Sequence, residues 1–188
     1  AHLQGPPEVT GDDMVAATDA FDAHDTGGGI EFESSGSPGQ LVVTSRLYST
    51  EPLNSVGMFI PALPASRAYA SSVLTSIRNN PGDGAGHFRT NVGFFNPGDG
   101  PANVTVTIFD NGTNQVGNAL TRTIDGHSGV QINQVFQAAG QGSFVTSSAA
   151  IVVSADSPLF SYASVLDNNT ADPIFVVGLP RAGSTLVE

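Results

Sequence analysis

From Ala102 to Phe109 the chain alternates, with Val104, Val106 and Ile108 separated by Thr105 and Thr107. A period of two is the mark of a strand with one buried face and one wet face. Just before it, Thr90–Phe95 also has strand character, and the intervening Asn96–Pro101 (NPGDGP) is a cluster of turn residues. The pattern predicts a hairpin within His87–Gly112. Much of the remaining chain repeats the same materials, short apolar or alternating runs between Gly, Pro, Asn and Asp.

Taken in order, Met14, Val15, Thr18 and Phe21 have helical spacing behind Asp12 and Asp13, which predicts one short helix or an ordered arm before Thr26–Gly29 (TGGG). Ile30–Glu33 and Gln40–Ser49 are expected to pair across Ser34–Gly39. Strands are also expected at Val56–Ile60, Ser72–Ile77, Ala119–Ile124, Ser148–Val153, Leu159–Leu166 and Ile174–Val177, and a strand or strand plus turn at Gly129–Phe136. Turns are expected at Ala155–Pro158 and over Asp167–Pro173, and a loop at Asn79–Gly86. Many short strands with such punctuation predict an all-β chain, an antiparallel β-sandwich or barrel. The organisation expected is an acidic arm or short helix over 1–29, a half-module β-hairpin over 30–55 and a complete module over 56–188.

The half-module follows from an internal likeness between Ile30–Pro64 and Ile151–Pro180. Leu41 falls on Leu159, Val42 on Phe160 and Leu47 on Val165. After loops of different length, Phe59, Ile60, Leu63 and Pro64 fall on Phe175, Val176, Leu179 and Pro180. A lone half-module leaves Leu41, Val43, Leu47, Phe59 and Ile60 in want of a cover. The arm and the remaining sheet supply it within the chain, the solution favoured here, or a homo-oligomer or neighbouring β-module supplies it from outside.

Composition narrows the partners. The chain has 188 residues, 17 acidic against six basic, for a formal charge of -11, and every cation is an arginine. No basic stripe exists to neutralise phosphates, so nucleic acid is excluded as an expected partner. The 22 glycines and 12 prolines suit turns rather than long surface helices. There is no cysteine, which removes disulfide and thiol chemistry and fits an oxidising exterior. No apolar run approaches the ~20 residues of a membrane-crossing helix. The opening AHLQG fits a mature or trimmed product as well as an arbitrary boundary.

Candidate chemistry is thin. Asp19, Asp22, His24 and Asp25, and separately Asp167, Asn168, Asn169 and Asp172, are oxygen-rich enough to be weighed as calcium ligands. Neither has the spacing of a dedicated calcium loop, so a solvated acidic segment and an ordinary turn are the preferred readings and calcium dependence is expected to be weak or absent. No other metal or cofactor is expected. Asp125–Gly126–His127–Ser128 holds an acid, a base and a hydroxyl in four residues, but neighbours in a tight turn diverge and no relay is expected. Glu31 and Glu33 read as guards of a strand edge. Without tryptophan, only Tyr48, Tyr69 and Tyr162 offer a tyrosine platform for a glycan. Arg89, beside Thr90 and Asn91, is either an ordinary exposed cation or a bridge between strand ends, pinning an acidic loop through a bidentate pair.

The phrases FRTNVGFFNPG, ANVTVTIFD, QLVVTSRLYS and GMFIPALP resemble those of repeat modules in large secreted or surface-associated bacterial proteins. Phe88, Arg89, Thr90, Asn91 and Val92, with Asn96 and Pro97, match one such phrase, and Val104–Ile108 the strand that follows it. The resemblance implies an immunoglobulin-like or related sandwich, an extracellular, periplasmic or cell-surface location, and no assigned enzymatic role. It gives Arg89, Thr90, Asn91, Asn96 and Pro97 structural parts. The expected function is thus a non-catalytic, exported structural or adhesion-type module, with a surface protein or glycan as candidate partner. The alternatives are a hydrolase, or a fragment of one, and a glycan- or small-ligand-binding module.

Overall fold

The computed structural model describes residues 29–32, 43–48 and 57–181. The predicted N-terminal helix, the Ser34–Gly39 turn and the acidic trio Asp19, Asp22 and Asp25 lie outside them. The described chain is all-β and its strand pairs are antiparallel. Its strands are β1 (Thr44–Tyr48), β2 (Gly57–Pro61), β3 (Tyr69–Asn79), β4 (Phe88–Asn96), β5 (Ala102–Asp110), β6 (Asn114–Ile124), β7 (Ser128–Ile132), β8 (Thr146–Asp167), β9 (Pro173–Val177) and β10 (Leu179–Pro180). A single helical turn, α1 (Val135–Ala138), separates β7 from β8. Among the described residues no helix is long and apolar enough to cross a membrane.

β8 holds the molecule together. Its first half lies between β3 and β5, with β10 beyond β3 and β6 beyond β5. Its second half lies between β4 and β9, with β7 beyond β4. The expected turn at Ala155–Pro158 is therefore a correction: the strand runs straight through it. Residues 156–158 have no register partner in any of these ladders: β5 is left at Ala155, β3 is met once more at Leu159 opposite Tyr69, and β4 begins at Phe160. Pro158 has no N–H to give, so a gap in the ladder is the place where it costs least. Asp156 caps the crossing, accepting from the backbone and side-chain nitrogens of Asn103, each at 2.8 Å.

The hairpin expected within His87–Gly112 is the second correction. β4 and β5 are strands, but they do not pair with each other; β4 joins β7 and β8, and β5 joins β6 and β8. Asn96–Pro101 is a corner between the two ladders. The buried side chain of Asn96 accounts for it. Its amide nitrogen donates to the carbonyls of Gly100 (2.8 Å) and of Ile124 at the end of β6 (3.0 Å), while its oxygen accepts from Gly98 N (3.0 Å). The corner is thus tied to β6, away from β4. Pro97 sits half-buried within it.

The inward residues of both ladders meet in one core. Val104, Val106 and Ile108 are buried in the predicted alternation, against Leu74, Ile151, Phe94, Ile124 and Leu159. On β3, Leu74 and Ile77 are three apart yet both have no exposed surface. A bulge explains this: the register passes from Leu74↔Ile151 to Ile77↔Ala149, and Ser76 takes a positive φ of 60°. Val135 and Phe136 of α1 close one end of the core, Phe136 stacking on Phe144 at 6.2 Å. Ser72 of β3 and Ser161 of β8, both buried, share a hydrogen bond of 2.7 Å between the two ladders.

Near the N-terminus the third correction arises. Residues 29–32 form no strand, and β1 pairs with β2, so the partner of β1 lies beyond the expected 30–55 segment. The β1–β2 ladder has a register that bears on the internal likeness. Its five pairs, Thr44↔Pro61 to Tyr48↔Gly57, fall one for one on the five pairs of β8 with β9, Tyr162↔Val177 to Leu166↔Pro173, under the correspondence that sets Leu47 on Val165 and Phe59 on Phe175. The settings differ. Val165 is buried, whereas Leu47 is 56% exposed and Phe59 58%. The hairpin meets the rest of the protein chiefly where β2 lies beside β9.

Candidate functional site

Two polar constellations lie near opposite ends of β4. At its start is a cleft of about 320 Å³ lined by Asn79, Asp83, Phe88, Arg89, Gln134 and Asn168 among others. It is at the small end of the range for ligand sites. Three loops and the start of β4 build it. Arg89 Nη1 donates to Asn168 Oδ1 at 2.7 Å, and Asn168 in turn donates through Nδ2 to Gly82 O at 2.8 Å. Asn91, also on β4, accepts the N–H of Gln134 at 2.9 Å and so fixes the left-handed residue that starts α1 (φ 46°). Thr90, fully buried, donates to Arg78 O at 2.6 Å and ties β4 to the end of β3. The guanidinium of Arg78 lies 5.1 Å from the centre of the Phe88 ring.

Arg89 does pin the loop after β8, but through the neutral amide of Asn168. The bidentate pair with an acidic group is not the contact made. In that loop Asp167 Oδ1 accepts from Asn169 N (2.7 Å) and Thr170 N (3.1 Å), and the backbone N–H of Asp172 donates to Thr170 Oγ1 (3.2 Å). That is turn chemistry of the kind Asp and Asn favour. Among the described residues no three or more His, Cys, Asp or Glu gather as a metal-binding group.

Beyond the far end of β4 is His127. Its backbone has a positive φ of 51°, and its N–H donates to Gly98 O at 3.2 Å across the corner that Asn96 holds. Its Nδ1 lies 2.9 Å from Glu31 Oε2 and its Nε2 2.9 Å from Asp99 Oδ1. The carboxylates on the imidazole come from the 29–32 segment and the β4–β5 corner. Asp125 and Ser128 are its neighbours in sequence, from which no relay is expected, and nothing in the spacing could bring Glu31, 96 residues away, to this place. Hydrogen bonds to Asp99 and then Glu31 raise the His127 pKa above its ordinary 6.5. Hydrogen bonding to Asn103, through its side chain first and its backbone second, lowers that of Asp156 below its ordinary 3.8.

The signs of these shifts set a pH window. The His127 contribution to stability is fully present below 6.5 and is lost as pH rises through the raised value. The Asp156 contribution is present above 3.8 and is lost as pH falls through the lowered value. Both act together between about pH 4 and 6.5. Thermal unfolding of wild type and His127→Gln across pH is expected to give melting temperatures that differ in mild acid and converge in base. A constant difference across the range would contradict the assignment.

Tyr69 and Tyr162 do not make a platform, and the side chain of Tyr48 lies outside the described residues. Tyr69 is buried on β3. Tyr162 stacks on Phe175 at 5.1 Å, lies over Gly93 where a Cβ would strike its ring, and donates to Gln131 Oε1 at 3.0 Å.

No known family and no curated protein matches the chain. Among solved structures it is similar to one titled "Crystal Structure of Thermotoga maritima 1070", with 15% identity and a TM-score of 0.48, over 62% of this chain and 98% of that one.

Proposed function

We propose that the chain is a non-catalytic structural or adhesion-type module of an exported protein, an immunoglobulin-like β-sandwich preceded by the closing hairpin of a second, like module. The supporting observation is the coincidence in register of β1–β2 with β8–β9. In the complete module the other edge of the β8 segment carries β4, with Val165 opposite Thr90 and Ala163 opposite Val92. The equivalent edge of β1, at Leu47 and Ser45, therefore suits an antiparallel strand of β4 type from a neighbouring module. Exposed Leu47 stands where buried Val165 stands in the complete module. The location, outside the cytoplasm, rests on the resemblance of the strand phrases and the absence of cysteine.

The hydrolase alternative is disfavoured by the setting of His127. With a carboxylate on each nitrogen, the imidazole is held as a double donor rather than as a base for Ser128. A panel of ester, peptide and glycoside substrates should show no turnover that His127→Gln abolishes; turnover dependent on His127 would refute the reading. A ligand-binding role draws support from the Arg89 cleft, whose amides and guanidinium suit a small polar ligand such as a sugar. A glycan panel tests it, with Arg89→Ala expected to abolish any signal that belongs to the cleft.

A further inference from the structure

Among the described residues, the 29–32 segment meets the body of the protein at Phe95, Gly129 and His127, and the last of these contacts titrates. Gly29 lies against the ring of Phe95 so closely that a Cβ would collide with it, and its nitrogen is near Gly129 on β7. Two residues on, Glu31 meets His127. Ile30 and Phe32 on either side are each 56% exposed, so burial of large side chains does not secure the segment. β7 is an edge strand, pairing with β4 alone among the described strands.

The protonation of His127 decides whether this contact is sound. Glu31 and Asp99 approach the two ring nitrogens at 2.9 Å each, and an ionised carboxylate only accepts. The imidazolium has two N–H donors and satisfies both. The neutral ring has one, so its other nitrogen turns a lone pair toward a carboxylate oxygen. Gly98, the residue before Asp99, is tied to Asn96 and to the His127 backbone N–H, whereas Ile30 and Phe32 on either side of Glu31 are largely exposed. Glu31 is the partner that gives way. Asp125, two residues before His127 in the same turn, adds a further acidic group on its own element.

We infer that His127 is a pH-sensitive latch that fastens the Gly29–Phe32 strap over Phe95 and the β7 edge in mild acid and releases it as pH rises. The linkage has the required sign. Asp99, the larger cause, raises the His127 pKa whether or not the strap is attached, and Glu31 raises it further, so protonation favours attachment in mild acid and that preference disappears as pH climbs through the raised value. Release uncovers Phe95 and the outer side of β7, which is where pH would be read out.

Amide exchange of the full chain, corrected for intrinsic pH dependence, tests this at about pH 5 and about pH 9, well either side of a histidine's range. In wild type, protection of residues 30–32 and 129–131 should fall roughly two- to fivefold at the higher pH, the scale of an exposed ion pair. His127→Gln should remove that response. Glu31→Gln should also remove it, but leave the strap attached at both pH values, because a neutral imidazole can donate to Asp99 and accept from the Gln amide. Exchange of the β8 core amides reports whether each variant is folded; if His127→Gln is not, Glu31→Gln decides alone. Equal wild-type protection at both pH values, a response that survives His127→Gln, or Glu31→Gln behaving as wild type would each overturn the latch.

Discussion

Replacing Ile151 by alanine is expected to destabilise the protein by about 2–5 kcal/mol, a large part of the ~5–15 kcal/mol that holds a domain folded. Ile151 sits in the first half of β8 with no exposed surface. Leu74 is directly opposite on β3 and Ile108 on β5, both buried, so the truncation opens a cavity at the centre of three strands. Rigid neighbours on both sides cannot collapse into it without breaking register. Ile174 of β9 is the control, since it is 58% exposed and its truncation should stay within about 0.5 kcal/mol. Urea unfolding distinguishes them: the midpoint should drop sharply for Ile151→Ala at unchanged slope. Equal costs at the two sites would mean that β8 is not the strand around which the core is built.

Asn96→Ala is expected to cost about 2–4 kcal/mol, which is large for a substitution that removes only a small polar group. The reason is what remains behind. Ile124 O loses its donor in a buried setting, Gly100 O loses another, and Gly98 N loses its acceptor. Losing these ties also loosens the corner that carries Asp99, so the pH response of His127 should weaken in the same variant. Pro97→Ala, in the same corner but without such ties, should cost much less. Chemical denaturation together with an NMR titration of His127 reads both effects; a variant with wild-type stability would show that the corner is held by something other than Asn96.

What the sequence made legible was local. The alternation of Val104, Val106 and Ile108 reported a buried face, and the same face is buried in the fold. Asn96–Pro101 was recognisable as a turn because Gly, Pro, Asn and Asp have local reasons to bend a chain. Which strands the turn would join was not legible. Pairing of β4 with β8 is set by packing some 70 residues along the chain, and the side chain of Asn96 bonds the corner to the end of β6. Pro158 misled for a similar reason: it reads as a break wherever a ladder is assumed, and β8 has a gap in its ladders there. The site divides in the same way. Arg89, Thr90 and Asn91 were singled out and each ties separate elements together, whereas Glu31, Asp99 and Asn168 gained their partners only through folding.

The repeat correspondence was readable as a faint likeness of apolar types, and the matched registers of β1–β2 and β8–β9 give it a physical consequence. If the hairpin ends a like module, the side of β1 away from β2, unpaired among the described strands, should accept the strand that the β8 segment accepts. A synthetic peptide of the β4 sequence, Phe88–Asn96, nine residues long, supplies that strand. Residue-resolved NMR of the isotope-labelled chain during its addition is the most direct measurement. Saturable shifts concentrated at Ser45, Arg46 and Leu47 are expected, with slower amide exchange there and β4 itself unchanged. Saturating peptide that leaves β1 unaltered, or that perturbs β4 and β8 instead, would contradict it.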